Sequence, residues 1–287
     1  MTVRTYNEVY LSARKALKAA GVEAFSLEAR LLCACAAGKT KEQFLRDMKF
    51  YVSDGYVEKV GEMLARRLKG EPTAYITGEW EFYGLPMEVS PDVLIPRNDT
   101  EILVDRAIEL LKGRMSSKRV LDLCTGSGCI GISVAVNVPD SRVILIDKSL
   151  RAMSVARANV LKNNVMRNVT CVDADALKAP PILLGSFDMI LCNPPYIPSQ
   201  DVEELDSSVK DYEPSMALDG GSDGLDFYRS VASKWKSILR PKGILMFECG
   251  EGQAQSVAEI MDRCGFTNLT AFKDTLGIDR VMAGILM

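Results

Sequence analysis

The sequence predicts an α/β chain: a doubly wound, mostly parallel sheet of seven strands, preceded by a small all-helical N-terminal domain. Three observations carry this. Residues 1–72 show helical signals and no strand-like run. From residue 119 onward, continuous apolar runs of strand length alternate with amphipathic stretches. That pattern belongs to parallel strands covered by helices on both faces. The last two runs, FTNLTAFKD and DRVMAGILM, have no helix between them, so the final strand should run antiparallel to its neighbour.

The elements follow in order. TYNE (Thr5 to Glu8) and TKEQ (Thr40 to Gln43) are capping boxes. In each, a hydroxyl takes an orphan backbone N–H and the acid or amide three residues on reaches back. Ser26 is the expected cap of LEARLLCACAAG, which Gly38 ends. VEKVGEMLARRLKG is a fourth helix, stopped by Gly70 and Pro72. Residues 75–96 change period, with aromatic and β-branched residues around Gly84 and Pro86, which reads as a β-hairpin. Residues 99–113 return to a helix capped by Asp99 or Thr100. The sheet is then built from RVLDLCT, RVILID, VTCVDAD, FDMILCN and GILMFECG, with helices near 129–137, 149–163, 227–239 and 252–264. The expected domains are a helical recognition domain over 1–72, a hairpin linker over 73–98 and a catalytic domain over 99–287. No internal repeat or low-complexity tract is evident.

Composition narrows the function. The chain has 287 residues, 47% hydrophobic and 25% charged, which is ordinary for a globular protein. No apolar run reaches the roughly 18 residues of a membrane span. The N-terminal stretch has no apolar h-region, so no signal peptide and a cytoplasmic location are expected. Eight cysteines include no CxxC pair and lie mostly in apolar runs, so they read as buried thiols and not as a metal site. Histidine is absent, which excludes Ser-His and Cys-His catalysis. Residues 1–72 hold 13 Lys and Arg against 9 Asp and Glu; the remainder holds 22 against 29. An acidic catalytic segment is not the footprint of a DNA binder.

LDLCTGSGCIGI joins the first strand of the sheet to its helix. Gly126, Gly128 and Gly131 form a GxGxxG, and Asp147 ends the next strand, placed to hold ribose hydroxyls. Asp122 precedes the turn. An acid there repels a pyrophosphate but suits the ammonium of a methionine moiety. The open N–H groups at the following helix suit its carboxylate. S-adenosylmethionine fits both ends, whereas hydride transfer lacks a proton relay and a phosphate-binding P-loop motif is absent.

Asn193-Pro194-Pro195-Tyr196 ends the fourth strand, on the side of an open sheet where ligands sit. Methylating an amide or aromatic amine is hard because the nitrogen lone pair is delocalised. Acceptors on both N–H hydrogens orient the nitrogen and localise that pair. The Asn193 side-chain oxygen and the Pro194 carbonyl can supply them. The prolines fix the turn and donate no competing N–H. Tyr196 offers a flat face to a planar amide or base. As mere punctuation, two prolines would end a strand, but they would not require the Asn and the Tyr beside a cofactor loop.

On these residues the chain resembles the amino-methyltransferases of the class I, S-adenosylmethionine-dependent kind. Over about 75 to 282 it resembles the protein-(glutamine-N5) methyltransferases of peptide chain release factors. The matching stretches are GEWEFYGLPMEVSPDVLIPRNDTE, DLCTGSGCIGI, NPPYIP, EPSMALDGGSDGLDFYR, FECGEGQ and DTLGIDRVM. The resemblance implies a Rossmann-like methyltransferase fold and a release-factor substrate, methylated at the glutamine of its GGQ motif. It implies that Cys124, Thr125, Gly126, Ser127 and Gly128 line the methionine end and Asp147 the ribose. Asp175 and Ala176 would border the adenine, and Asn193 to Tyr196 the substrate glutamine. Three departures stand out. Cys124 replaces the usual glycine, so its turn should avoid positive φ. Ala176 replaces an aromatic that some members place over the adenine. PRNDTE replaces the commoner PRPETE around Arg97 and Glu101.

Two other readings compete. An adenine N6 methyltransferase on DNA or RNA could use the same corner for a flipped base; against it stand the acidic catalytic segment and the lack of a basic recognition insert. A non-catalytic cofactor-binding protein acting in translation is the third, and the intact NPPY argues against it. The expected partner is a release factor, with no membrane and no direct DNA contact, and the expected oligomeric state is a monomer.

Overall fold

The computed structural model describes residues 4–113 and 118–287. The chain divides into two compact units, Met1–Glu79 and Trp80–Met287.

The first unit holds α1 (Tyr6–Ala19), α2 (Phe25–Ala36), α3 (Lys41–Arg46), α4 (Asp54–Leu68) and α5 (Thr73–Thr77). Both capping boxes form. The Thr5 hydroxyl accepts the Glu8 N–H at 3.2 Å while the Glu8 carboxylate accepts the Thr5 N–H at 2.7 Å. Thr40 and Gln43 repeat the exchange. Ser26 is not a cap: α2 begins at Phe25, after Ala24, with no side-chain cap. Ser26 therefore falls inside the first turn, where its hydroxyl lies 2.9 Å from that of Tyr10. Ser53 caps α4 instead, accepting the Tyr56 N–H at 3.2 Å. Leu17, Leu32, Phe44 and Val60 are among the buried residues of this unit's core. Thr73–Thr77 is helical and ends at Gly78 with φ 73°, so the hairpin begins later than the change of period at 75 suggests.

The hairpin pairs β1 (Glu79–Phe82) with β2 (Leu85–Glu88). Its turn residues Tyr83 and Gly84 have φ of 53° and 71°, the left-handed pair a two-residue hairpin turn needs. A 3-10 turn at Asn98–Thr100 leads into α6 (Glu101–Lys112). Neither Asp99 nor Thr100 caps α6 by a side chain, because Thr100 is already in helical conformation.

The sheet strands are β3 (Lys118–Leu123), β4 (Ser141–Asp147), β5 (Val169–Asp173), β6 (Phe187–Cys192), β7 (Leu239–Glu248), β8 (Phe266–Lys273) and β9 (Asp279–Leu286). Between them lie α7 (Cys129–Asn137), α8 (Leu150–Lys162), the short α9 (Ser207–Lys210), α10 (Asp226–Lys234) and α11 (Ala254–Arg263). Among the described residues they form one seven-stranded sheet in the order β5-β4-β3-β6-β7-β9-β8. All pairings are parallel except those of β9, which runs against both β7 and β8. This is a doubly wound, Rossmann-like fold.

Continuous apolar strands are explained by two cores. In β6, Met189 and Leu191 enter one core while Ile190 and Cys192 enter the other. Val120 and Leu121 of β3 divide the same way. Each residue of a central strand is thus buried on one face or the other, which removes any polar alternation. Strand order runs outward in both directions from β3 and β6. That switch point opens a crevice at the strand carboxyl ends, where the glycine loop after β3 and the NPPY corner after β6 emerge side by side.

Candidate active site

A cavity of about 510 Å³ lies at this crevice, within the roughly 300–1,000 Å³ of small-molecule sites. Its floor is the loop after β3. Cys124, Thr125, Gly126 and Ser127 line it. Cys124 has φ 57°, contrary to the expectation that a non-glycine residue here forces φ to be negative. The turn is dictated by the strand and helix it joins, and the cysteine takes the strain. Gly128, at φ 85°, does not line the cavity but packs behind it. A Cβ there would lie 2.9 Å from Ile132 Cδ1 and 3.1 Å from Leu145 Cδ1. Its role is close packing of α7 on the sheet.

Asp122 also turns away from the expected place. Its side chain is fully buried, and Oδ2 accepts the Thr125 hydroxyl at 2.5 Å and the Gly131 N–H at 2.9 Å. It braces the glycine loop from beneath and is not on the cavity wall, so it does not face a ligand ammonium. Burial pushes its pKa up to about 7, against the pull of those two hydrogen bonds.

Asp147 does face the cavity. Its carboxylate accepts the Gly126 N–H at 3.0 Å and the Ser149 N–H at 2.9 Å. Burial raises its pKa, while the N–H groups of Ser149, Gly126 and Lys148 act the other way. A carboxylate offers about four acceptor positions, so these N–H groups do not exhaust its capacity to accept from a diol. Asp175 and Ala176 lie further along the same wall. Asp175 accepts the Leu177 N–H at 2.9 Å, and Lys148 stands 3.6 Å from it. The Ala176 carbonyl is held by Ser230 at 2.9 Å and the Trp235 indole N–H at 3.0 Å. Phe227 lines the cavity too, an aromatic surface the sequence reading passed over.

Asn193, Pro194, Pro195 and Tyr196 line the same cavity. The corner is supported from three directions. Gln253 donates to the Tyr196 carbonyl at 2.9 Å and accepts the Gly250 N–H at 3.1 Å. Gly220 and Gly224 lie against the Tyr196 backbone, where a Cβ would approach within 2.7 Å and 2.3 Å. That close approach is why glycines recur in ALDGGSDGLDFYR. The Asn193 amide donates to the Thr100 hydroxyl at 3.3 Å. Burial, with the nearby Glu248 charge, pushes the Tyr196 phenol up to about 12, so it stays neutral.

Two further contacts brace the site from behind. Arg97 pairs with the buried Glu213 at 2.5 Å, and Glu213 also accepts the Ile95 N–H at 3.4 Å. This ion pair ties the loop before α6 to the segment after α9. Asn159, fully buried on α8, donates to the carbonyls of Glu88 and Ser127 at 2.9 Å each and accepts the Glu88 N–H at 2.6 Å. It fastens the hairpin to the back of the glycine loop. Neither contact carries a sequence signal, because both partners are distant along the chain.

Residues 8–78 match the family description PrmC N-terminal domain, and residues 100–207 match Methyltransferase small domain. A release factor glutamine methyltransferase of Geobacter sulfurreducens is 39% identical over 264 residues, covering 92% of this chain and 90% of that protein. The chain belongs to the release factor glutamine methyltransferase family. Another member, from Clostridium acetobutylicum, is 34% identical, with 97% of each chain covered. The fold of this methyltransferase is shared more widely. The catalytic domain of hMettl16, solved in complex with the MAT2A 3'UTR hairpin 6, is 18% identical with a TM-score of 0.57, covering 78% of this chain and 81% of that one.

Proposed function

We propose that this chain transfers a methyl group from S-adenosylmethionine to the side-chain amide nitrogen of the glutamine in the GGQ motif of peptide chain release factors. The observation that carries the reading is that the Asn193–Tyr196 corner lines the same cavity as the Cys124–Ser127 loop and Asp147. The relatives' glutamine methyltransferase names favour an amide acceptor over an adenine.

The residues fit the cofactor. Asp147 is pre-oriented by two backbone N–H groups for a ribose diol. Asp175, Ala176 and Phe227 bound the space for a base. The loop 124–127 leads into α7, whose N-terminal end favours a carboxylate. When bound, S-adenosylmethionine supplies an electrophilic methyl on a sulfonium. The chain's own residues then position the acceptor. Asn193 Oδ1 and the Pro194 carbonyl accept the two amide hydrogens, and Tyr196 packs on the amide plane. Catalysis rests on orientation and preorganised hydrogen bonds, without a strong base, and the nitrogen gives up its surplus proton to water after transfer, when it is acidic.

The test is a methyl-transfer assay with a release factor in one tube and DNA in another. A methyl on the GGQ glutamine, located by mass spectrometry, is expected only with the release factor. Asn193→Ala should cut turnover by roughly 10²–10³ with cofactor affinity within a few fold. Unchanged turnover would reduce the corner to a strand terminator.

A further inference from the structure

We propose that Glu248 is a positioning residue for this reaction: it holds the Asn193 amide with its NH₂ turned inward, so that Oδ1 is presented to the substrate amide. The inference rests on the glutamine-methylation reading above. Glu248 has no part in that reading, yet it borders the cavity with Asn193 and is only 2% exposed.

The placement follows from register. Cys192 on β6 pairs with Phe247 on parallel β7, so the next residues, Asn193 just past β6 and Glu248 at the end of β7, are neighbours. Asn193 donates to the Thr100 hydroxyl. Thr100 and Asn193 each favour the ionised Glu248 carboxylate, as groups donating toward it do. A hydroxyl that accepts from Asn193 sends its own single proton onward, and an ionised carboxylate can only accept. The chain of donors therefore has one direction, from the Asn193 NH₂ toward Glu248. An Asn amide is otherwise free to present either end, and its NH₂ would be the wrong end for a substrate that itself offers N–H groups. Glu248 Oε2 is buried and has no hydrogen-bond partner among the described residues. A carboxylate kept in that condition at the edge of a cavity is an expensive way to end a strand.

The groups facing Glu248 come from every neighbouring element: Arg280 on β9, Asp99 ahead of α6, Tyr196 after β6, Tyr228 on α10, Cys249 beside it and Cys129 on α7. Burial is the largest influence on Glu248 and pushes its pKa up to about 7. Thr100, Arg280 and Asn193 oppose that shift, and Asp99 adds to it. Protonation turns the acceptor into a donor and removes the directional preference. Turnover should then fall on the acid side as Glu248 takes up its proton.

The experiment uses the full chain, S-adenosylmethionine and a release factor, with kcat and both KM values measured between pH 5.5 and 9. Glu248→Gln should lower kcat about 10-fold or more, the scale of a lost preorganised hydrogen bond, with cofactor affinity within a few fold. The acid limb of the wild-type profile should be absent in this variant. In the Asn193→Ala background the same substitution should cost less than about twofold, because a residue acting through Asn193 has nothing left to orient. Glu248→Asp, which keeps the charge, should recover part of the loss. Should Glu248→Gln lose its fold or its cofactor, Thr100→Val reads the same chain of bonds and should lower kcat alone. Wild-type kcat in Glu248→Gln or, in that case, in Thr100→Val overturns the inference, and so does a full additional loss in Asn193→Ala. A wild-type chain that methylates no release factor overturns the glutamine reading, and this inference with it.

Discussion

Cys124 and Gly128 bracket the glycine loop, and both have left-handed backbones. An L side chain in that region costs about 1–2 kcal/mol. Gly128→Ala adds this strain to a Cβ that meets Ile132 Cδ1 at 2.9 Å. Overpacking costs typically 1–3 kcal/mol, so a total loss of about 2–5 kcal/mol is expected from urea denaturation. Adding Ile132→Val deletes the clashing methyl and should recover only part, since the backbone strain stays. Full recovery would mean that φ at 128 is unimportant. Asp122 gives a pH prediction. Its carboxyl titrates near 7 in the fold, above the usual range near 4. The native state therefore binds more protons between those values, and this group's stabilisation is lost as pH rises from about 4 to about 7. Asp122→Asn does not titrate. Its stability relative to wild type should climb across that window by up to ~1.4 kcal/mol per pH unit and level off above it. A flat difference between pH 4 and 8 would place the Asp122 pKa elsewhere. Asn193→Asp is also informative: it puts a second carboxylate beside Glu248, so it should be as poor as Asn193→Ala in turnover.

At the scale of elements, one buried side chain joins three. Asn159 of α8 satisfies the Glu88 N–H and carbonyl at the end of β2 and the Ser127 carbonyl of the glycine loop. Asn159→Ala leaves those backbone groups unpaired, at about 1–3 kcal/mol for each one that water cannot reach. A stability loss of at least 2 kcal/mol is expected, together with weaker cofactor binding by calorimetry, because Ser127 is on the cavity floor. Lost stability with unchanged cofactor affinity would show that the hairpin tie does not shape the loop. Legibility at this scale depended on distance along the chain. The capping boxes at Thr5 and Thr40 were readable because both partners lie within four residues. Ser26 was misread because a local cap signal cannot say where the preceding loop releases the helix.

At the scale of the whole molecule, the acidic catalytic segment and the mildly basic front of the sequence suggest separate tasks. The compact unit 1–79 holds its own core of Leu17, Leu32, Phe44 and Val60. We infer that it recognises the protein substrate, since the cavity is lined by residues 91–248 alone. A chain lacking residues 1–79 should retain cofactor affinity within a few fold and lose methylation of intact release factor. Full activity of the truncated chain would refute a recognition role.

Sequence by itself determined the sheet, its antiparallel final strand and the pairing of a glycine loop with an NPPY corner. These rest on periodicity and on residue types whose backbone demands are local. Tertiary structure alone decided the direction in which side chains at those motifs point. Asp122 and Gly128 carry the motif yet face the packing beneath the loop. Thr100, Phe227 and Glu248 lie in the resembling stretches without an expected role, yet they line the cavity. The reason is geometric: a strand sends successive residues to opposite faces, and which face meets the crevice depends on register with a neighbour dozens of residues away. Cys192 opposite Phe247 is such a register, and it brings Glu248 beside Asn193.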